Sequence, residues 1–172
     1  SAALLGDAAA AIIIEPSNDS YLLHYQMETF PEGALFTQVK GGGTYRHPDN
    51  PKTLDQDHYF TMSGPNIYKM ARKKVYNMIS KSLSKNNLNV KDIDLVIPHQ
   101  ASGTAIKAYS KFGGFDDSKV INIISNYGNC VSVSIPLALC IAIKENKLKR
   151  GDLGLMIGTG AGLSVASCII KF

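Results

Sequence analysis

The chain has 172 residues, 45% of them hydrophobic, with a net charge of +4. That is enough for one ordinary domain with a real core, and too apolar for a disordered chain. The charge forms no block of Lys/Arg interleaved with aromatics, which argues against nucleic acid, and no apolar run reaches membrane-spanning length.

The first stretch, SAALLGDAAAAIIIEP, is apolar but has no basic n-region, and Asp7 interrupts it, so no signal peptide is expected. Residues 8–14, AAAAIII, predict a buried strand, although the alanines are also compatible with a helix. Pro16 and Ser17-Asn18-Asp19 predict a turn, and YLLHYQMET, Tyr21 to Thr29, a second strand. A strand with no preceding partner points to a fragment of something larger. Residues 30–60 are irregular and rich in proline and glycine, as expected of a lid or rim. Gly41-Gly42-Gly43 is followed by neither Lys-Ser/Thr nor a helix, which removes the phosphate-loop reading.

Ser63 predicts a helix N-cap, with Gly64 and Pro65 in the first turn. Ile67, Met70, Ala71, Val75, Ile79 and Leu83 then recur at helical spacing, giving an amphipathic helix to about Lys85. Its other face carries Lys69, Arg72, Lys73, Lys74 and Lys81. Such a face is either simply solvated or a dock for an acidic partner. Residues 94–98 predict a short buried strand that Pro98 stops, placing His99 at its carboxyl end. A helix is predicted from Ala101 to about Phe112, stopped by Gly113-Gly114. A strand over 119–124 leads to the turn Asn126-Tyr127-Gly128-Asn129. Residues 130–145 are apolar almost throughout and predict a helix buried on all sides. Leu153–Ile157 and Ser164–Lys171 predict an antiparallel hairpin joined by Gly158-Thr-Gly-Ala-Gly162. Strands alternating with helices imply a mixed sheet covered on both faces.

Open α/β sheets hold ligands just outside the carboxyl ends of their strands. His99 and Asn129, each able to hydrogen-bond a carbonyl, stand at such ends of two strand–helix units. Read alone, His99 could be a satisfied core histidine and Asn129 a turn residue. No histidine pair has metal-site spacing, and no metal or cofactor is expected. The glycines at 158, 160 and 162 lead into a strand, not a helix, so they are no dinucleotide fingerprint. Backbone N–H groups in such a turn can stabilise an oxyanion. Cys130, Cys140 and Cys168, an odd number in apolar surroundings, read as reduced thiols of a cytoplasmic protein.

Taken together, GDAAAAIII, FTMSGPNIYKMA, IPHQASG, NYGNCVSVSIPLAL and GDLGLMIGTGAG closely resemble the C-terminal half of β-ketoacyl-acyl carrier protein synthase III, a family of the thiolase superfamily. The resemblance covers nearly the whole chain. It implies an α/β fold: a thiolase-like C-terminal half with a mixed five-stranded sheet and helices on both faces. Residues 1–29 would be strands continuing from a missing N-terminal half, 30–62 a long loop, and 63–172 the domain core. The implied reaction is decarboxylative Claisen condensation of an acyl thioester with malonyl-acyl carrier protein, in fatty acid biosynthesis. His99 and Asn129 match the catalytic histidine and asparagine. Gly160-Ala161-Gly162 matches the triple-glycine turn whose amide serves the oxyanion, with Ala161 replacing the middle glycine. Pro65, Ser102 and Thr104 depart from the family pattern; Pro65 and Thr104 border the implied carrier-protein rim, on or near which Lys69, Lys107 and Lys111 lie. The nucleophilic cysteine belongs to the N-terminal half, and none of the three cysteines here matches it, so this chain alone is expected to be inactive. Implied partners are acyl carrier protein or coenzyme A thioesters, the N-terminal half, and a second copy in a homodimer. Alternatives are a related synthase of secondary metabolism or head-to-head acyl condensation, and a non-catalytic carrier-binding module.

Overall fold

A computed structural model describes residues 2–172. Four strands form the main sheet in the order β1 (Tyr21–Thr29), β6 (Ser164–Lys171), β5 (Leu153–Gly160), β4 (Leu95–Pro98). β4 and β5 are parallel, while β5–β6 and β6–β1 are antiparallel. The mixed sheet has helices on both faces, and the two faces can be read from the alternation along β4. Val96 packs with Leu155, Ile157, Val165 and Ile169 of the sheet against Val75, Met78, Ile79 and Leu83 of α1 (Gly64–Lys85). Leu95 and Ile97 point the other way, against Ala138 and Ala142 of α4 (Ser134–Lys144). Each large side chain so buried contributes about 1.5–3 kcal/mol. Within the α1 layer the buried hydroxyls of Ser82 and Ser167 meet at 2.7 Å, so each of these two has a partner.

α1 begins and ends where the sequence predicts. Ser63 precedes it, Pro65 stands in the first turn, and Asn86 closes it, with Asn87 in the left-handed region at φ 54°. α2 runs Gly103–Gly113, two residues later at its start than expected, because Ser102 is the N-cap and accepts from the Ala105 N–H at 3.2 Å. Gly114, at φ 75°, is the left-handed stop. The closing hairpin forms, but β5 continues to Gly160, so the turn proper is Ala161-Gly162-Leu163.

Three expectations are corrected. Residues 8–14 form no strand. They are exposed, with Ile13 93% and Ile14 89% accessible, and no ladder pairs them among the described residues. A β-branched run becomes a buried strand only where a partner strand and a covering layer exist. The strand over 119–124 shrinks to one parallel bridge, Val96–Val120, and from Ile124 the chain turns into the single helical turn α3 (Ile124–Tyr127). Four strands thus pair continuously, and the fifth is a bridge. Finally, α4 is not buried all round. It starts at Ser134 after a 3-10 turn over 131–133, buries Ser134, Ala138 and Ala142, and leaves Cys140 exposed. Next to it the same sheet face is bare: Tyr25 and Met27 of β1 are 76% and 73% exposed beside Cys168 and Ala166.

The 30–62 segment is irregular, as expected, but folded on itself. The two-residue strands β2 (Thr37–Gln38) and β3 (Thr61–Met62) pair across it. Inside, the buried Asp57 carboxylate accepts from the Leu54 N–H at 3.1 Å and lies 3.9 Å from Arg46 Nε.

Candidate functional site at the carboxyl end of the sheet

Pro98 ends β4, and the next residue, His99, donates its backbone N–H to Ile157 O of β5 at 2.8 Å. The strand ladder therefore fixes the backbone from which the imidazole projects. A Cβ built at Gly158 of β5 would lie 3.9 Å from His99 Cβ and 3.0 Å from Ile135 Cδ1. Gly158 thus lets Ile135, in the first turn of α4, pack close against β5, with His99 beside it at ordinary contact distance. His99 is half-buried, and burial alone pushes its pKa below the usual 6.5. At neutral pH the ring is uncharged, donating through one nitrogen and accepting through the other.

Asn129 stands just before α4. Its N–H donates to Leu4 O at 2.8 Å, and its carbonyl accepts from the Gly6 N–H at 3.1 Å. The side-chain Oδ1 accepts from the Val131 N–H at 2.9 Å. That bond settles the direction of the carboxamide: the oxygen is engaged, and the NH2 group has no hydrogen-bond acceptor among the described residues. The bridge between Val96 and Val120 is parallel. Pro98 and Asn122 are therefore level, and the chain segments leading to His99 and Asn129 leave the same end of the sheet.

Gly160, Ala161 and Gly162 follow Gly158 at the end of β5, so the turn begins about 7 Å along the strand from the residue beside His99. Gly162 has φ 139°, which a side chain would strain. The turn is tied to β1 and its end by the Phe30 N–H to Leu163 O bond at 2.7 Å and by Thr29 Oγ1 and Ser164 Oγ at 3.0 Å.

The basic residues of α1 and α2 divide in two. Lys74 pairs with Glu32 at 3.1 Å and Lys81 with Glu28 at 3.0 Å. Lys69, Lys107 and Lys111 are exposed and meet no carboxylate among the described residues. Arg72 and Lys111 converge from α1 and α2 on one ring: the guanidinium lies 4.9 Å and the ammonium 5.3 Å from the Phe112 centroid. The sequence reading put Arg72 on the basic face without separating it from Lys74, and it left out Phe112. The only signal was the spacing, since the pairing of α1 with α2 is tertiary. Neither the buried Cys130 nor the partly buried Cys168 is placed as a nucleophile. Cys130 Sγ donates to Tyr127 O at 3.2 Å, and burial raises the Cys168 pKa above 9.0.

A family model described as "3-Oxoacyl-[acyl-carrier-protein (ACP)] synthase III C terminal" matches residues 83–172, just over half of the chain. The chain belongs to this family. Among curated relatives, β-ketoacyl-[acyl-carrier-protein] synthase III of Clostridioides difficile is 36% identical over 99% of the chain and 52% of the relative. That of Solibacter usitatus is 34% identical over 98% and 52%. A solved 3-oxoacyl-[acyl-carrier-protein] synthase III from Aquifex aeolicus superimposes with a TM-score of 0.78 at 29% identity, over 92% of this chain and 46% of that one. OleA of Xanthomonas campestris shares the fold alone, at a TM-score of 0.73 and 18% identity. The chain spans about half the length of the curated relatives it matches, and it is their C-terminal half. The thiolase-like α/β fold expected from the sequence is the fold these synthases have.

Proposed function

We propose that this chain is the carbonyl-polarising half of a decarboxylating condensing enzyme of fatty acid synthesis. The complete enzyme would be this chain joined to an N-terminal half carrying the nucleophilic cysteine. The observation that carries the reading is the free NH2 group of Asn129, fixed by the Val131 N–H, at the same sheet end as a neutral, half-buried His99. Two neutral donors are what a malonyl thioester carbonyl needs as carbon dioxide departs and an enolate oxygen develops. The enolate carbon then attacks the acyl-cysteine carbonyl, the N–H groups of the Gly160-Ala161-Gly162 turn receive that second oxyanion, and its collapse breaks the C–S bond, releasing the ketoacyl product and the cysteine thiolate. The complete enzyme is expected to release one carbon dioxide per ketoacyl product from malonyl-acyl carrier protein. Condensation that retains the malonyl carboxylate would overturn the reading.

Charge supports a carrier protein as the substrate's vehicle, because Lys69 on α1 and Lys107 on α2 add to the charge of the Arg72–Phe112–Lys111 cluster and carriers are acidic. Lys107 and Lys111 share a face of α2, four residues apart. Changing Lys69 and Lys111 to Glu is expected to raise the KM for the acyl carrier protein substrate and to leave coenzyme A thioesters little affected. The difference should shrink in salt, since exposed charges are screened within about 10 Å at 0.1 M. Equal, salt-independent losses with both substrates would remove the docking role. The reading also includes a homodimer in the cytoplasm, and the three free cysteines support the reducing compartment.

A further inference from the structure

β4 and the segment after Lys119 begin a parallel ladder. Val96 bridges Val120, and the Ile121 N–H donates to Val96 O at 3.0 Å. Two residues on, the next rung would set Pro98 opposite Asn122. In a parallel ladder that rung needs a donor toward Ile121 O and an acceptor for the Ile123 N–H. Pro98 has no N–H to give.

The side chain of Gln100, 0% exposed, makes both bonds instead. Its Nε2 donates to Ile121 O at 3.3 Å, and its Oε1 accepts from the Ile123 N–H at 2.9 Å. The second Nε2 hydrogen goes to Pro98 O at 2.9 Å. A carboxamide carries the same donor–acceptor pair as a peptide unit, so it can occupy a rung of the ladder.

We infer that Gln100 is a positioning residue, its carboxamide replacing the rung that Pro98 cannot form and so fixing the His99 strand end to the segment leading to Asn129. Gln100 is the direct neighbour of His99, and Ile123 lies six residues before Asn129. Without the carboxamide, nothing else bonds Ile121 O or the Ile123 N–H among the described residues, and the distance between the two catalytic donors is no longer set at this end. The inference rests on the proposed roles of His99 and Asn129.

The test uses the complete enzyme with Gln100→Leu and Gln100→Glu, beside His99→Ala. Gln100→Leu removes all three bonds and leaves buried backbone groups unpaired. It is expected to lower the kcat for malonyl decarboxylation at least about tenfold. Acylation of the cysteine by the acyl donor should stay near wild type, and amide exchange over residues 118–130 should quicken. Gln100→Glu carries the readout that a simply structural role would not move. While protonated, its carboxyl accepts from the Ile123 N–H and donates to one of the two carbonyls, so decarboxylation is partly restored. As pH rises past that carboxyl's pKa, a buried carboxylate faces carbonyl oxygens and the activity falls. His99 titrates next to it, so the profile is read against wild type. Should Gln100→Leu fail to fold, this pH profile decides alone. Wild-type kcat and wild-type exchange in Gln100→Leu, or a flat profile for Gln100→Glu, would overturn the inference. If His99→Ala instead leaves decarboxylation intact, the catalytic reading falls first and takes the positioning role with it. Loss in His99→Ala without loss in Gln100→Leu removes the positioning role alone.

Discussion

His99→Ala in the complete enzyme is expected to lower malonyl decarboxylation by about 10²- to 10³-fold, the usual effect of removing one preorganised donor to an oxyanion. Asn129→Ala should do the same, and the double variant should cost little more than either if, as proposed, the two serve one oxygen. Acylation of the cysteine in the other half should survive in all three, since that step develops its charge elsewhere. Burst measurements of acyl-enzyme against steady-state release of carbon dioxide separate the steps. Equal damage to both would sink the assignment. The pH dependence has a definite sign. The folded protein holds the His99 pKa below 6.5 through burial, so it binds this proton less readily than the unfolded chain. The contribution of His99 to stability is therefore full above pH 6.5 and is lost as pH falls below that toward the lowered value. Melting temperatures between about pH 5 and 7 should fall with acidification more in wild type than in His99→Ala.

The isolated 172-residue chain is expected to show no malonyl-dependent condensation at all. On the proposed reading, it supplies donors for a developing charge but no acyl-enzyme for the enolate to attack. The thiols of Cys130 and Cys168 do not fill the gap: Cys130 donates a hydrogen bond to a backbone carbonyl, and partial burial holds Cys168 protonated. Adding the N-terminal half as a separate chain should restore activity, because the bare side of the sheet around Tyr25 and Met27 offers it an apolar seat. Ketoacyl product from the isolated chain, measured with labelled malonyl donor, would refute this.

Where the sequence reading succeeded, local chemistry was sufficient. Ser63, Pro65 and Asn86 mark the bounds of α1, Gly114 marks the end of α2, and the Leu95-Val96-Ile97 run with Pro98 marks β4, because caps and breakers act within a few residues. It failed where burial depends on what lies opposite. Residues 8–14 have the composition of a core strand, and α4 that of a core helix, but composition cannot say which surface covers them. The site was legible only as a pairing. From the residues, His99 and Asn129 stand out as two polar groups at the carboxyl ends of two strand–helix units, each with an ordinary structural alternative, and their catalytic roles came from the resemblance. Gln100 escaped because its role follows from register. Only when Val96 is seen opposite Val120 does Pro98 leave a rung to fill.

The exposed run Ile12-Ile13-Ile14 has a consequence for how such a protein is made. Three consecutive β-branched residues without a partner strand are a template for pairing with any other chain. A ribosome delivers the N-terminal side first, and domains generally fold in that order. With an N-terminal half joined ahead of this chain, as proposed, that half has already emerged when the isoleucines leave the exit tunnel, and a folded surface is at hand before they can meet another chain. Separating the halves into two genes would remove that order. The C-terminal product would then meet other copies of itself before its cover, and it would depend on chaperones to stay apart from them.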